Sequence, residues 1–314
     1  MKKLILILLL TIFAYPNIIP YFSKISGGYY KGGVDNIIIE DILSSKKTIN
    51  MAMYYLTNKN ITLALIKAFK RGVDVKIYTD DRKISSKRYK LLIKQGIKVN
   101  CDNNLKALMH NKFLIIDKKI LWVSSANYTV YSFYRNYDNF LRVTDSKVIE
   151  YYSQKFRLLY NHSSTKLKAY KSSKVEVYFS PDTNFENRII SLIKSAKSSI
   201  HFLAFAFTNP KISQALIDAN GRGVKVKGVF DKAQNRYQKY SQYKRLKSNG
   251  VVVRFDKNRF KLHSKVFIID KKIVVMGSYN FTKKANITND ENSIIIKDRD
   301  IAGIYLKNFY EIFR

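Results

Sequence analysis

The chain has 314 residues with 57 Lys or Arg against 23 Asp or Glu, a net charge of +34, and a single cysteine. That length allows about two domains, and one cysteine excludes an intramolecular disulfide. With only four histidines, no His/Cys cluster is available to bind a metal, while the basic balance favours polyanionic partners, nucleic acid or an anionic membrane surface.

Met1-Lys2-Lys3 precedes Leu4–Ala14, a short and almost wholly apolar run interrupted afterwards by Pro16, Asn17 and Pro20. A charged start before a short hydrophobic core has the shape of a signal peptide, and the run falls short of the ~20 apolar residues a spanning helix wants. Residues 1–26 are therefore expected to be an export signal, for a periplasmic or secreted protein, or an uncleaved membrane anchor. Beyond them, Ile49–Leu56 reads as a buried strand, Ile61–Lys70 as a helix closed by Gly72, and Val73–Tyr78 as a further strand. The same order recurs later: strand Ile200–Phe207, helix Pro210–Asn220 with Gly221 as its stop, strand Val224–Phe230. Lys174–Ser180 reads as a strand opening the later set. Its counterpart near Ser23–Tyr30 is Gly-rich, so a full first strand is not expected in the first half. The polar, Lys-rich stretch Ser163–Ser173 reads as the linker.

The recurrence is a duplication. Thr57-Asn58, Arg71-Gly72-Val73 and Asp80 match Thr208-Asn209, Arg222-Gly223-Val224 and Asp231, an offset of 151 residues (208 − 57). Further on the offset is 153 (263 − 110), because two residues are inserted between Asp231 and His263. The repeats span roughly 35–160 and 174–314. Strand–helix–strand order implies an α/β fold with right-handed crossovers. The division expected is 1–26 leader, 27–165 first repeat and 166–314 second repeat.

Each repeat carries one motif. The first reads His110-Asn111-Lys112, four apolar residues, Asp117, then Ser124-Ser125-Ala126-Asn127. The second reads His263-Ser264-Lys265, four apolar residues, Asp270, then Gly277-Ser278-Tyr279-Asn280. Residues two apart on a strand share a face, so each His and Lys can enter one pocket. Asp117 and Asp270 lie an odd seven residues from their histidines and open turn sequences, which makes them structural supports. A lone His-x-Lys is usually a surface strand, but two copies with matched Ser and Asn downstream are not explained that way.

This doubled H-x-K-x4-D-x6-[GS]-S-x-N pattern resembles the phospholipase D superfamily. The resemblance implies two α/β/α sandwiches with mixed sheets facing each other about a pseudo-two-fold axis, the active site at their interface, and phosphodiester cleavage through a covalent phosphohistidine. It makes His110 the nucleophile, although spacing alone does not separate the two histidines. The chemistry needs one neutral imidazole, one protonated imidazole, donors on the non-bridging oxygens and groups that orient each ring. The sequence offers His110 and His263 for the first two roles. Lys112, Lys265, Asn127, Asn280, Ser125 and Ser278 are the phosphate-binding set, and Asp138 and Glu291, again 153 apart, can accept the second ring N–H. Of the other histidines, His162 is expected in a solvated loop. His201 matches Asn50 and is expected to be a polar site near a strand start. No cofactor and no metal are expected, and a chain with both motifs should act as a monomer.

Lys232–Lys261 holds ten Lys or Arg against the single acid Asp256, interleaved with Tyr237, Tyr240, Tyr243, Phe255 and Phe260. Basic residues with aromatics suit single-stranded nucleic acid. The competing expectation is one helix whose tyrosines, three apart, pack on the sheet. Each repeat is about the size of the superfamily's small bacterial nucleases and of mitochondrial cardiolipin hydrolase. The expected function is a phosphodiesterase leaning to nucleic-acid endonuclease. The alternative is hydrolysis of, or transfer from, anionic phospholipids such as cardiolipin or phosphatidylglycerol at a membrane surface. A non-catalytic nucleic-acid-binding module is disfavoured because both motifs are intact.

Overall fold

In the computed structural model, which describes residues 17–26 and 32–314, the duplication becomes two sheets built to one plan. The first half runs β1 (Ile18–Phe22), α1 (Val34–Ser44), β2 (Thr48–Met53), α2 (Lys59–Lys70), β3 (Asp74–Thr79), α3 (Asp81–Ile84), α4 (Lys87–Lys94), β4 (Lys98–Cys101), β5 (Lys112–Ile116), β6 (Ile120–Ser124), α5 (Val130–Tyr134), β7 (Asn139–Val143) and α6 (Ser146–Tyr160). The second runs β8 (Tyr170–Lys171), β9 (Val175–Ser180), α7 (Phe185–Ser195), β10 (Ser199–Ala204), α8 (Pro210–Gly221), β11 (Lys225–Phe230), α9 (Lys232–Asn235), α10 (Tyr243–Ser248), β12 (Val252–Phe255), β13 (Lys265–Ile269), β14 (Ile273–Gly277), α11 (Lys283–Ile287), β15 (Glu291–Lys297) and α12 (Arg299–Phe313).

The first sheet has the order β1-β7-β6-β5-β2-β3-β4 and the second β12-β11-β10-β13-β14-β15-β9-β8. In both, three parallel strands (β2, β3, β4; β10, β11, β12) join an antiparallel set through the motif strand, β5 or β13. The parallel strands are linked by helices whose ends are written in the sequence. Asn58 and Asn209 cap α2 and α8 through their side-chain oxygens, and Pro210 takes the first helical position, where its missing N–H costs nothing. Gly72 and Gly223 take positive φ, 89° and 86°, and the N–H groups of Val73 and Val224 return to the carbonyls of Ala68 and Ala219. That is a Schellman closure. The expected stop at Gly221 is thus displaced: Gly221 is the last helical residue, and Gly223, the repeat partner of Gly72, ends the turn.

One further expectation is corrected. The first half does have its opening strand, but earlier than Ser23–Tyr30. Ile18–Phe22 pairs antiparallel with β7, Ile18 opposite Val143. This strand falls inside the stretch 1–26 expected as the leader and completes the first sheet. Residues 1–16, which hold the apolar run, lie outside the described residues. Among the described residues no helix is long and apolar enough to cross a membrane.

Each half has an outer layer: α1, α2 and α4 cover the first sheet and α7, α8 and α10 the second. The inner faces of both sheets share one core with α6 and α12, in which Phe113, Val123, Leu141, Val148, Tyr152 and Phe156 of the first half meet Phe179, Val266, Ile294, Tyr305 and Phe309 of the second. The halves are joined by that apolar core, at ~25 cal/mol per Å² buried, and by a buried ion pair, Lys155 Nζ to Asp182 Oδ2 at 2.8 Å.

Candidate active site

The two motif strands enter the interface side by side with the lead-in to the other half's last strand. Met109 bridges Asp290 and Leu262 bridges Tyr137, both in parallel. His110 N donates to the Asp290 carbonyl at 2.9 Å and His263 N to the Tyr137 carbonyl at 2.9 Å. These bonds bring each histidine next to a carboxylate of the opposite repeat. His110 Nδ1 lies 2.7 Å from Glu291 Oε2, and His263 Nδ1 lies 2.8 Å from Asp138 Oδ1. With Nδ1–H donating to a carboxylate, the lone pair is left on Nε2, the tautomer a nucleophile or base requires.

Lys112 and Lys265 are buried in the same place, 0 % and 1 % exposed. Each ammonium donates back to the carbonyl of its own histidine, Lys112 Nζ to His110 O at 2.7 Å and Lys265 Nζ to His263 O. Burial lowers all four cationic groups. His110 falls below the ordinary imidazole value, with Glu291 opposing. His263 falls to about 4 through burial and the nearby Lys265 charge. Lys112 drops well below the usual lysine range and Lys265 to about 8. Burial pushes Asp138 and Glu291 up, but the facing histidine and lysine charges win and hold both carboxyls below their ordinary values. A dianionic or monoanionic phosphate entering this site would meet two ammonium groups already stripped of water, where Coulomb attraction is strongest.

Ser125 and Ser278, expected in the phosphate-binding set, turn their hydroxyls to the two carboxylates. Both are fully buried. Ser125 Oγ donates to Asp138 Oδ1 at 2.7 Å, and Ser278 Oγ donates to Glu291 Oε2. They hold the carboxylates that hold the imidazoles. Asn127 and Asn280 are partly exposed in the loops that follow β6 and β14, and Asn127 lines a cleft of about 600 Å³ together with His263, Thr57, Arg259, Phe260 and Lys261. Gly277 differs from its partner Ser124 for a backbone reason: it takes φ +147°, and a Cβ there would stand 2.2 Å from the Asn292 carbonyl oxygen. The close approach is to the neighbouring strand.

Asp117 and Asp270 lie away from the histidines. Asp117 accepts the backbone N–H groups of Lys46, Lys47 and Thr48 at 2.7, 2.7 and 2.8 Å. Asp270 does the same for Lys197, Ser198 and Ser199. Both open a hairpin turn with two consecutive positive-φ residues, Asp117-Lys118 and Asp270-Lys271. Each carboxylate thus ties that turn to the entry of the neighbouring strand, β2 or β10.

Sequence reasoning matched Asp80 with Asp231 but gave them no role. Both are buried, and they accept the backbone N–H of the residue just before each histidine, Met109 at 3.1 Å and Leu262 at 2.9 Å. A second carboxylate braces the following turn in both halves, Asp102 accepting from Asp81 N and Asp256 from Lys232 N, each at 2.8 Å. Asp80, Asp81 and Asp102 are close enough to suggest a cation site. Asp80, however, already takes a two-pronged bond from Arg82, and the same backbone bracing recurs at Asp231 and Asp256.

Also unforeseen is an aromatic ring edge-on to each imidazole, Tyr54 to His110 at 5.4 Å and Phe205 to His263 at 4.8 Å; their 151-residue offset (205 − 54) was the available signal. His201 is buried in β10 against Phe309 and Tyr310, and His162 is exposed. Tyr243 stacks on Phe255 at 3.9 Å, but Tyr237 and Tyr240 are 85 % and 65 % exposed. The expectation of one helix packing all three tyrosines fails because the helix stops after Asn235 and resumes only at Tyr243.

The family model described as "Cardiolipin synthase, PLD-like domain" matches residues 38–160 and 189–313. The chain is similar to a phospholipase D of Rickettsia bellii (strain RML369-C), 41 % identical over 137 residues that cover 44 % of this chain and 68 % of that protein. It is similar to the mitochondrial cardiolipin hydrolase of Mus musculus, 32 % identical over 127 residues, 40 % of this chain and 57 % of that one. In fold it resembles the phosphatidylserine synthase of Haemophilus influenzae Rd KW20, with a TM-score of 0.67 at 14 % identity over 89 % of this chain and 83 % of that one. The chain belongs to the phospholipase D superfamily, as a phosphodiester hydrolase with two PLD-like domains in one polypeptide.

Proposed function

We propose that this hydrolase cuts single-stranded nucleic acid through a phosphohistidine. His110 Nε2 attacks phosphorus while His263 gives its Nε2 proton to the departing oxygen, so the P–N bond forms as the P–O bond breaks. A water then attacks phosphorus, His263 takes its proton, and the P–N bond breaks to free His110. Lys112 and Lys265, with Asn127 and Asn280, hold the non-bridging oxygens. Glu291 and Asp138 keep each ring turned and its Nδ1 protonated.

The observation that carries the substrate reading is the wall of the cleft at His263. It is formed by Arg259, Phe260 and Lys261, which continue into Lys232, Arg236 and the exposed Tyr237. Cations spaced between exposed rings can follow a charged backbone while bases stack. A second reading is a phospholipase D acting on anionic phospholipid. The relatives named phospholipase D and cardiolipin hydrolase support it, as does the apolar run Leu4–Ala14, which would export the protein or hold it at a membrane. Single-stranded DNA, RNA, and vesicles of labelled cardiolipin or phosphatidylglycerol, assayed side by side, separate the two. Turnover of lipid with nucleic acid left intact would overturn the nuclease reading.

A further inference from the structure

Arg135 lies against two touching rings drawn from different halves of the chain. Its guanidinium sits 4.4 Å from the ring centre of Tyr131 and 5.3 Å from that of Phe260. The two rings meet edge to face at 5.8 Å. Arg259 lies over Phe260 as well, at 4.9 Å. The assembly is tied at the backbone, because Asn258 Nδ2 donates to the Arg135 carbonyl at 2.8 Å. Tyr131 and Phe260 both line the cleft that contains His263 and Asn127. Tyr131 is 53 % exposed, although the neighbouring Ser132, Phe133 and Tyr134 of α5 are buried.

The arrangement occurs on one side only. The repeat partners, 153 residues away, of Tyr131, Arg135 and Phe260 are Lys284, Thr288 and Ala107. The His110 side of the site therefore has neither of the two rings nor the guanidinium. The pseudo-symmetric centre is thus asymmetric in its rim: a guanidinium with two rings stands beside His263, whereas Lys83 over Tyr54 and Tyr55 stands beside His110.

We propose that Tyr131, Arg135 and Phe260 form a stacking slot for one nucleobase, the base next to the scissile phosphate on the His263 side. The inference rests on the nuclease reading above and adds direction to it. A base offers a planar π face to rings and guanidinium alike, which a glycerol headgroup or acyl chain does not. Because His263 is placed to protonate the departing oxygen, the slot holds the nucleoside that leaves. Tyr131, Arg135 and Phe260 act as specificity-determining residues, and the asymmetry between the halves fixes which way a strand lies across the site.

The test is a 5′-labelled single-stranded oligonucleotide with one abasic residue at its centre, cut by the full chain and mapped linkage by linkage. Cleavage should be depleted at one of the two linkages flanking the abasic residue, since only one of them puts the missing base in the slot. In Phe260→Ala that one-sided depletion should disappear, and KM for an unmodified strand should rise roughly tenfold, the scale of one lost stack, with kcat near native. Phe260→Trp should keep both behaviours. Equal cutting of the two linkages by the native protein would overturn the slot and leave the nuclease reading standing. A native protein that leaves every strand whole would remove both. If Phe260→Ala does not fold, the map from the native protein decides alone.

Discussion

His110 and Glu291 belong to different repeats, yet Nδ1 of one lies 2.7 Å from Oε2 of the other, and His263 and Asp138 mirror the exchange. Neither repeat contains a complete imidazole–carboxylate pair. Glu291→Gln should lower kcat by up to about 10⁴-fold, the loss seen when such a carboxylate becomes an amide. An amide can donate to Nδ1, which moves the proton to Nε2 and removes the lone pair from the attacking atom. Asp138→Asn should cost a similar factor through His263. Circular dichroism and melting would show a folded chain; native turnover in either variant would reject the orienting role.

The two histidines should separate by covalent labelling. His110→Ala should form no phosphoenzyme. His263→Ala should be slow in both steps but still trap adduct from a phosphodiester with a good leaving group, because such a group departs without a proton. Acid-labile, base-stable incorporation of phosphorus label is the measurement. Label that persists in His110→Ala and vanishes in His263→Ala would exchange the roles.

Rate against pH should be bell-shaped, since one imidazole must be neutral and the other protonated. Burial lowers both, His263 to about 4, with the lysine charges adding to it. The free enzyme therefore loses the required proton at lower pH than an ordinary imidazole would. The kcat/KM bell, which reports the coupled pair, should lie on the acid side of 6.5. Bound phosphate brings negative charge and raises both groups, so the kcat bell should lie at higher pH than the kcat/KM bell. A kcat/KM maximum at or above pH 7 would contradict the burial argument.

The repeat, the six-position motif and most elements were legible because each rests on local signals: fixed spacing, an Asn cap, a Gly closure, an apolar run. What was not legible depends on the partner half. Nothing in spacing says that His110 meets Glu291 and not Asp138, because that pairing is made by the Met109–Asp290 and Leu262–Tyr137 bridges. The bonds of Ser125 and Ser278 to carboxylates 13 residues on were hidden as well, because those partners are brought back only by the β6–β7 and β14–β15 pairings. Ile18–Phe22 was hidden inside an apolar N-terminal stretch, where an edge strand and a leader look alike. Tyr237 and Tyr240 kept a helical spacing without a helix, since the helical turns end at Asn235 and begin again only at Tyr243.

The reciprocal pairing also bears on assembly. One chain supplies both histidines, both lysines and both carboxylates, so activity should follow the 36.6 kDa monomer in size-exclusion chromatography. Specific activity should stay constant on dilution. Activity confined to a dimer peak would mean that the pairs His110–Glu291 and His263–Asp138 form between chains.

Asp117 and Asp270 complete the motif but should matter for stability and not for chemistry. Burial pushes each carboxyl up, and its backbone N–H donors more than offset this, leaving both below the ordinary aspartate value of 3.8. A depressed carboxyl stabilises the fold above the unfolded-state value and loses that contribution as pH falls through the folded-state value. Asp117→Ala should therefore lower stability by about 1–3 kcal/mol at pH 7, the cost of leaving those donors without a charged acceptor. The gap to the native protein should narrow below pH 4. Asp270→Ala should behave alike, and the double variant should add the two losses, since the turns sit in different sheets. Below the melting transition, kcat should stay within about threefold of native. Denaturant unfolding at pH 7 and pH 3.5, with initial rates on the folded variants, is the measurement. A large fall in kcat with unchanged stability would move Asp117 and Asp270 from the frame of the site into its chemistry.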